Sequence, residues 1–561
     1  MTTRSPSAQP RIVPVISTAS TGRAGPPATP RAYLRVVQFG AVLVVALLLR
    51  CWEWTGRGLW FDEAFTWRLV EYPLAEMMER AARDNSPPFY YLVLFAWVRL
   101  FGDSLAALRG LSVVCGLLTV AGMYLFVREA AGRRADDAGP VAASGPGESP
   151  GRDARTAHGV ALFAAALTAT SVFQVRYSDE VRPYALGAAL AAFSAWALFR
   201  AIRPGPPSPR AWAGYGLVTL LFAYTHYYAL FVVAAQAAFL AGWLLAGARW
   251  RFAAAARRPA FRYALLAAAV LVAGWLPWVP TFLRQRAQVQ AAFWTPPLSA
   301  WTAPDLCYEM FIDPQPPGSR HPYLEVVLTT AVAAGLAVLG RRARSAEWYV
   351  ILTSVGPLAA SLAVSAADTN VPVVLRYFVF AHLSLLAALS LLVWRAPRGP
   401  VRVAAAGAVL AASLAVTVDF FHGLRLENSP GARGAAEFVA AHRRPGELVV
   451  VPTPLWYLPV AYHLNDDGVR LYDAGGDIPH YHGSAVLRPE DMIDGPGLET
   501  APGTRLWVVN GVGNDWGRQE VPVPEGWVAT GTYRFPEALR VGAAVVVVYE
   551  RRPGLIPDRV E

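Results

Sequence analysis

The chain has 561 residues, of which 55% are hydrophobic and only 16% charged, with a formal net charge of +10. Soluble domains carry roughly 25% charged residues, so this composition excludes an ordinary soluble protein. The positive charge is all arginine and sits in short loops between apolar runs, which argues against a nucleic-acid partner.

Residues 1–33, rich in Pro, Ser, Thr and Arg, read as a disordered cytoplasmic tail. The apolar run after them has no small-residue cleavage site behind it and reads as a retained anchor. Stretches such as 36–49, 212–246 and 378–394 hold no charged residue other than His. A bilayer core of roughly 30 Å needs about 20 apolar residues. By that measure the chain has about eleven spanning helices, near 34–52, 105–128, 158–175, 183–203, 212–225, 227–247, 262–283, 322–340, 347–367, 373–394 and 401–420. The apolar run 87–101 is too short to span. With the amphipathic stretch 64–82 before it, it reads as helices lying along the membrane surface.

Arginines recur in every second loop, including the loop 128–157. The positive-inside rule therefore places the N-terminus in the cytoplasm. It puts 53–104, 176–182, 284–321 and everything after 421 on the outer face. Segment 422–561 reads as a small soluble α/β domain, with strand-like runs 448–451, 505–509 and 543–549 and a helix at 435–442. It contains no catalytic motif. The expected fold class is an all-α polytopic membrane protein, with interfacial helices in the first outer loop and a C-terminal extracytoplasmic α/β domain. The membrane region is 34–421. Cys51, Cys115 and Cys307 form neither a disulfide framework nor a metal-binding spacing.

The first outer loop contains Gly58-Leu59-Trp60-Phe61-Asp62-Glu63-Ala64-Phe65. Adjacent carboxylates just after a spanning helix are costly unless solvated or used, so Asp62 and Glu63 are candidate catalytic residues. The structural alternative is a helix start, with Asp62 as N-cap and Glu63 favoured by the macrodipole. The second outer loop reads Arg176-Tyr177-Ser178-Asp179-Glu180-Val181-Arg182-Pro183-Tyr184. Its carboxylates Asp179 and Glu180 are further catalytic candidates. Arg176 and Arg182 suit phosphate, which guanidinium holds bidentately, and Tyr184 adjoins them. An interfacial anchor of mutual ion pairs is the alternative. Tyr224-Thr225-His226-Tyr227-Tyr228 lies between two spans on the same face, and Arg376-Tyr377 lies just inside a helix end. His226, Tyr227, Arg376 and Tyr377 are therefore substrate-binding candidates. His382, deeper in the same span, reads as a hydrogen-bonded group of the bundle interior. A transporter would place polar groups at the midplane between broken, repeated helices. Neither pattern is clear.

Four motifs carry a resemblance: Leu59-Trp60-Phe61-Asp62-Glu63-Ala64; Ser86-Pro87-Pro88-Phe89-Tyr90-Tyr91-Leu92; Phe101-Gly102-Asp103-Ser104 with Leu108-Arg109; and Arg176 to Leu186. Their order resembles the GT-C glycosyltransferases, above all the bacterial branch related to protein O-mannosyltransferases and the aminoarabinose transferase of lipid A. Thr225-His226-Tyr227-Tyr228 and Leu375-Arg376-Tyr377 continue the likeness, which covers roughly residues 35–420. The resemblance implies inverting transfer of a sugar from a polyprenyl-phosphate donor to an outer-face glycan, lipid or protein acceptor. It gives the general base to Asp62, with Asp179 or Glu180 assisting, and donor phosphate binding to cationic residues. Some relatives carry Lys where this chain has Ser86, so the cation must be an arginine, with Arg182, Arg376, Arg284 and Arg286 as candidates. A polyprenyl-linked donor agrees with the lack of a Gly-rich nucleotide loop. No metal cluster is evident and no cofactor is implied. The competing function is a non-catalytic binder or transporter of lipid-linked glycans.

Overall fold

The computed structural model describes residues 30–136, 150–291, 297–313, 321–367, 373–397, 399–500, 503–513, 520–538 and 542–552. Residues 1–29 of the expected tail and 137–149 of the basic loop lie outside them. The first described elements are α1 (Pro30–Cys51), α2 (Phe61–Glu71), α3 (Leu74–Arg83), α4 (Phe89–Phe101) and α5 (Leu105–Asp136). The amphipathic stretch expected at 64–82 is thus two helices. They part at Tyr72-Pro73, because the residue before proline is driven out of the helical region; Tyr72 has φ −65° and ψ 153°. The 13 residues of α4 reach only about 20 Å, too short to cross.

The bundle continues with α6 (Pro150–Thr170), α7 (Val172–Arg176), α8 (Tyr184–Ala201), α9 (Pro209–Ala223), α10 (Ala229–Ala246), α11 (Phe252–Ala256) and α12 (Pro259–Trp275). It closes with α13 (Val279–Ala291), α14 (Thr302–Phe311), α15 (Pro322–Gly340), α16 (Ser345–Ala367), α17 (Val379–Val393) and α18 (Pro400–Leu424). Every segment expected to span is helical. Among the described residues, nine helices are long and apolar enough to cross a membrane, and the protein is a polytopic membrane protein. The two expected spans outside that set are α6, whose first half is rich in charge, and α9, whose 15 residues reach about 22 Å.

Small residues let the inner helices approach closely, as membrane packing requires. A Cβ on Gly122 of α5 would lie 2.8 Å from Ala192 Cβ of α8. Arg50, fully buried near the end of α1, donates to the carbonyls of Ala46, Thr168 and Ala169 at 3.2–3.3 Å. It thereby caps the last carbonyls of α6, which have no partner within their own helix.

After the bundle come α19 (Gly431–His442), β1 (Leu448–Val451), α20 (Pro454–Leu464), β2 (Val469–Tyr472), β3 (Met492–Ile493), α21 (Gly495–Glu499), β4 (Arg505–Val512), β5 (Trp527–Pro536) and β6 (Ala543–Arg551). The strands form one sheet in the order β3-β2-β1-β4-β6-β5, parallel through β4 and antiparallel from β4 to β5. Helix α20 makes the crossover that a parallel β1–β2 pair requires. Strand β1 is almost continuously apolar because residues on both of its faces are buried. The short β2 and β3 and the exposed edge strand β5 lack such a run and escape sequence reading.

This sheet region does not stand apart. Leu59, Phe65, Leu69, Tyr90 and Leu94 of the 53–104 segment share one apolar core with Val449, Val451, Leu458, Trp507 and Val509 of the sheet region. The joint is also polar: Arg68 pairs with Asp491 at 2.7 Å, and Tyr72 Oη donates to the Val486 carbonyl at 2.9 Å. Arg433 donates to Thr55 O at 2.9 Å, and the Leu59 amide donates to His463 Nε2 at 3.0 Å. Gly58 makes the approach possible, since a Cβ there would sit 2.9 Å from both His463 Nε2 and Arg433 Cβ.

Candidate active site

Helix α2 presents the two adjacent carboxylates in different directions. Its N-cap is Trp60, not Asp62, so the structural alternative for Asp62 does not hold. Asp62 and Glu63 occupy the second and third helical positions. Glu63 reaches back to accept the Trp60 amide at 3.4 Å, as the third residue of a capping box does. It also takes a bidentate pair from Arg109 at 2.7 and 2.9 Å, Arg57 Nη1 at 2.8 Å and the Val181 amide at 3.1 Å. Its side chain is fully buried. Burial alone would raise its pKa, but the Arg109 and Arg57 guanidiniums outweigh that and hold it down to about 2. Glu63 is therefore a strut, ionised at neutral pH, joining α2, α5 and the 176–183 segment.

Asp62 faces the other way. Arg376 Nη2 lies 3.5 Å and Arg182 Nε 4.0 Å from its Oδ2, spacings of a loose ion pair. Arg182 is aimed by Thr66 one turn along α2, donating to Thr66 Oγ1 at 3.2 Å and to the Asp62 carbonyl at 3.5 Å. The anchor alternative, Arg182 pairing with Asp179 or Glu180, is not what forms. The guanidinium of Arg376 lies 5.7 Å from the Trp60 ring centre and 5.8 Å from that of Tyr377, within cation–π range.

Beside this cluster is a cavity of about 480 Å³. Arg182, His226, Tyr227, Tyr377, Asn85, Ser86 and Arg286 line its polar part, and Leu230, Phe231, Phe282, Val289 and Val364 its apolar part. Aromatic packing braces the wall: the His226 ring is 4.7 Å from Tyr377 and 6.0 Å from Tyr184. Burial, reinforced by Arg182 and Arg376, holds His226 down to about 3, so its imidazole is neutral. Tyr227 accepts from Trp278 Nε1 at 3.0 Å and donates to Gln285.

The remaining candidates lie away from the cavity. Asp179 accepts from Arg57 at 3.2 Å. Arg176 pairs with Asp313 at 2.5 Å. Glu180 faces a small chamber of about 30 Å³ with Arg57, Arg176, Trp60 and Glu537, and its Oε2 has no hydrogen-bond partner among the described residues. Burial, opposed by Arg57 and Arg176, pushes Glu180 up to about 7. Arg284 donates to Thr281 at 3.3 Å, while Arg286 is the arginine of that helix that lines the cavity.

Sequence reading missed Arg57, Thr66, Asp84 and Asp313. Asp84 is buried, accepts from Tyr91 Oη at 3.4 Å, and is pushed up to about 6 by burial against the pull of Arg182. Its place just before Asn85 and Ser86 was the available signal. Asp313 gave none, because its partner Arg176 is 137 residues away, and Arg57 joins Glu63, six residues on, to Asp179, 122 residues on. Among the described residues no group of three His, Cys, Asp or Glu side chains is arranged to hold a metal ion.

A family model described as a family of unknown function (DUF6541) matches residues 88–358. No curated protein matches the sequence. Among solved structures, ArnT from Cupriavidus metallidurans bound to undecaprenyl phosphate aligns over 92% of this chain and 98% of that chain, at 13% identity and a TM-score of 0.55. The apo state of ArnT aligns over the same shares with a TM-score of 0.54. The S. cerevisiae protein O-mannosyltransferase Pmt1-Pmt2 complex bound to the sugar donor covers 51% of this chain and 37% of that chain at 14% identity, with a TM-score of 0.31, too low to imply a common fold. The likeness to ArnT is one of fold, and the chain has an ArnT-like fold.

Proposed function

We propose that the chain is a membrane glycosyltransferase that moves a sugar from a polyprenyl-phosphate donor to an acceptor hydroxyl at the outer face, with inversion. The observation that carries this reading is the Asp62 carboxylate, held loosely between Arg182 and Arg376 beside a cavity that is polar on one side and apolar on the other. Such a cavity suits a lipid with an anionic head. A protein of the same fold crystallised with undecaprenyl phosphate adds support.

In the proposed step the acceptor hydroxyl gives its proton to Asp62 while its oxygen attacks the anomeric carbon. The bond from that carbon to the phosphate oxygen breaks, and its electron pair leaves with the polyprenyl phosphate. Arg182 and Arg376 meet that charge. A charge-assisted hydrogen bond is worth roughly 1.5–3 kcal/mol, and more in a partly dry site whose donors are already oriented. Neutral His226 adds no cation. A positioned general base contributes about 10²–10⁴-fold, so Asp62→Asn is expected to lose that much turnover while donor binding changes only a few-fold. Near wild-type transfer by the purified variant would remove Asp62 as the base and favour a non-catalytic binder.

In this reading the N-terminus is cytoplasmic, residues 34–421 form the catalytic membrane region, and the sheet region lies outside the cell. In a cysteine-free background, Asp473→Cys is expected to react with an impermeant thiol reagent on intact cells, and Arg257→Cys only after permeabilisation. The reverse pattern would invert the topology.

A further inference from the structure

The wall of the 480 Å³ cavity bears on the sugar as well as on the lipid phosphate. It carries two guanidiniums, Arg182 and Arg286, and among the described residues no Asp or Glu side chain lines it. The neighbouring carboxylates, Asp62 and Asp84, are not part of its wall. Asp62 lies between Arg182 and Arg376, and Asp84 accepts from Tyr91 at 3.4 Å. Gln285 is also occupied, donating to the Ala81 and Ala82 carbonyls and accepting from Tyr227. It is a strut between α13 and α3. The Asn85–Ser86 pair is different. Ser86 Oγ donates to Asn85 Oδ1 at 3.2 Å and also meets the Tyr91 hydroxyl, which leaves the Asn85 amide hydrogens and one Ser86 lone pair for other partners. Both residues line the cavity.

We propose that the donor sugar carries no positive charge, so that the cavity takes a neutral or acidic sugar and disfavours an amino sugar, with Asn85 and Ser86 reading its hydroxyls. This rests on the lipid-phosphate donor reading above. An ammonium group in this cavity would face guanidinium, with no carboxylate among the described residues of the wall to pair with. Like charges in a partly dry site are a strong means of rejecting a ligand. An amide and a hydroxyl, in contrast, supply the donors and acceptors that neutral sugar hydroxyls need.

The test uses the full-length protein in lipid nanodiscs and three probes: bare polyprenyl phosphate, polyprenyl-phospho-glucose and polyprenyl-phospho-glucosamine. The two sugar lipids differ by one amino group. At neutral pH the glucosamine lipid is expected to bind at least about ten-fold more weakly than the glucose lipid. Ser86→Asp is expected to narrow that ratio by placing a carboxylate on the wall. Equal or tighter binding of the glucosamine lipid by the wild type would overturn the inference while leaving the donor reading intact. Failure of bare polyprenyl phosphate to bind would remove the donor reading and this inference together.

Discussion

Glu63 receives hydrogen bonds from Arg57, Arg109, Trp60 and Val181 within 3.4 Å, whereas Asp62, one residue earlier on the same helix, has its flanking arginines at 3.5 and 4.0 Å. The first carboxylate has its acceptor sites filled and holds three segments together. The second keeps its oxygens open beside a cavity. Two acidic residues in one motif thus have different surroundings, and under the proposed function they divide structure from chemistry; the division comes from the roughly 100° turn that separates neighbours on a helix.

This contrast can be broken from either side. The largest expected stability effect is at Glu63. Glu63→Gln leaves Arg57 and Arg109 buried against a neutral amide, and removing one partner of a buried pair costs about 3–5 kcal/mol. Thermal unfolding of the purified protein measures this, and a loss below about 1 kcal/mol would mean the cluster is not a strut. At the open site, Arg182→Ala or Arg376→Ala is expected to weaken donor use by about ten- to a hundred-fold with little change in the unfolding midpoint. A large stability loss with donor binding intact would reverse the two roles.

The smallest effect is in pH. Glu63 is held near 2, so its stabilisation is complete above the ordinary value of 4.5 and is lost as pH falls toward 2. Glu180 has the opposite sign. Raised from 4.5 to about 7, it stabilises most below 4.5 and loses that contribution as pH rises through 7. Wild-type unfolding midpoints are therefore expected to decline between about pH 4.5 and 7, and Glu180→Gln to flatten that decline. Superimposable profiles would show that Glu180 is not the responsible group.

Much of this was legible in the chain. Both flanking arginines, Asp62, His226, Tyr227 and Tyr377 stand in ordered motifs between apolar runs, and the structure gathers them. Asp179, Arg176 and Arg284 stand in equally suggestive positions and face other partners. Nothing local separates the two groups, because for Asp179 and Arg176 the deciding partner is a residue distant in sequence.

What the sequence alone determined is the membrane bundle and the main strands of the sheet region. Crossing a bilayer requires only a long apolar run whose backbone bonds close within the helix, and that is a local property. The apolar run of β1 likewise announces a strand buried on both faces. Only the tertiary structure decided that the sheet shares a core with the 53–104 segment, through Gly58, His463 and the Arg68–Asp491 pair. It also decided which carboxylate sits between Arg182 and Arg376 and which is locked by Arg57 and Arg109. Side-chain partners across 100 or more residues are chosen by packing, and no spacing along the chain records that choice.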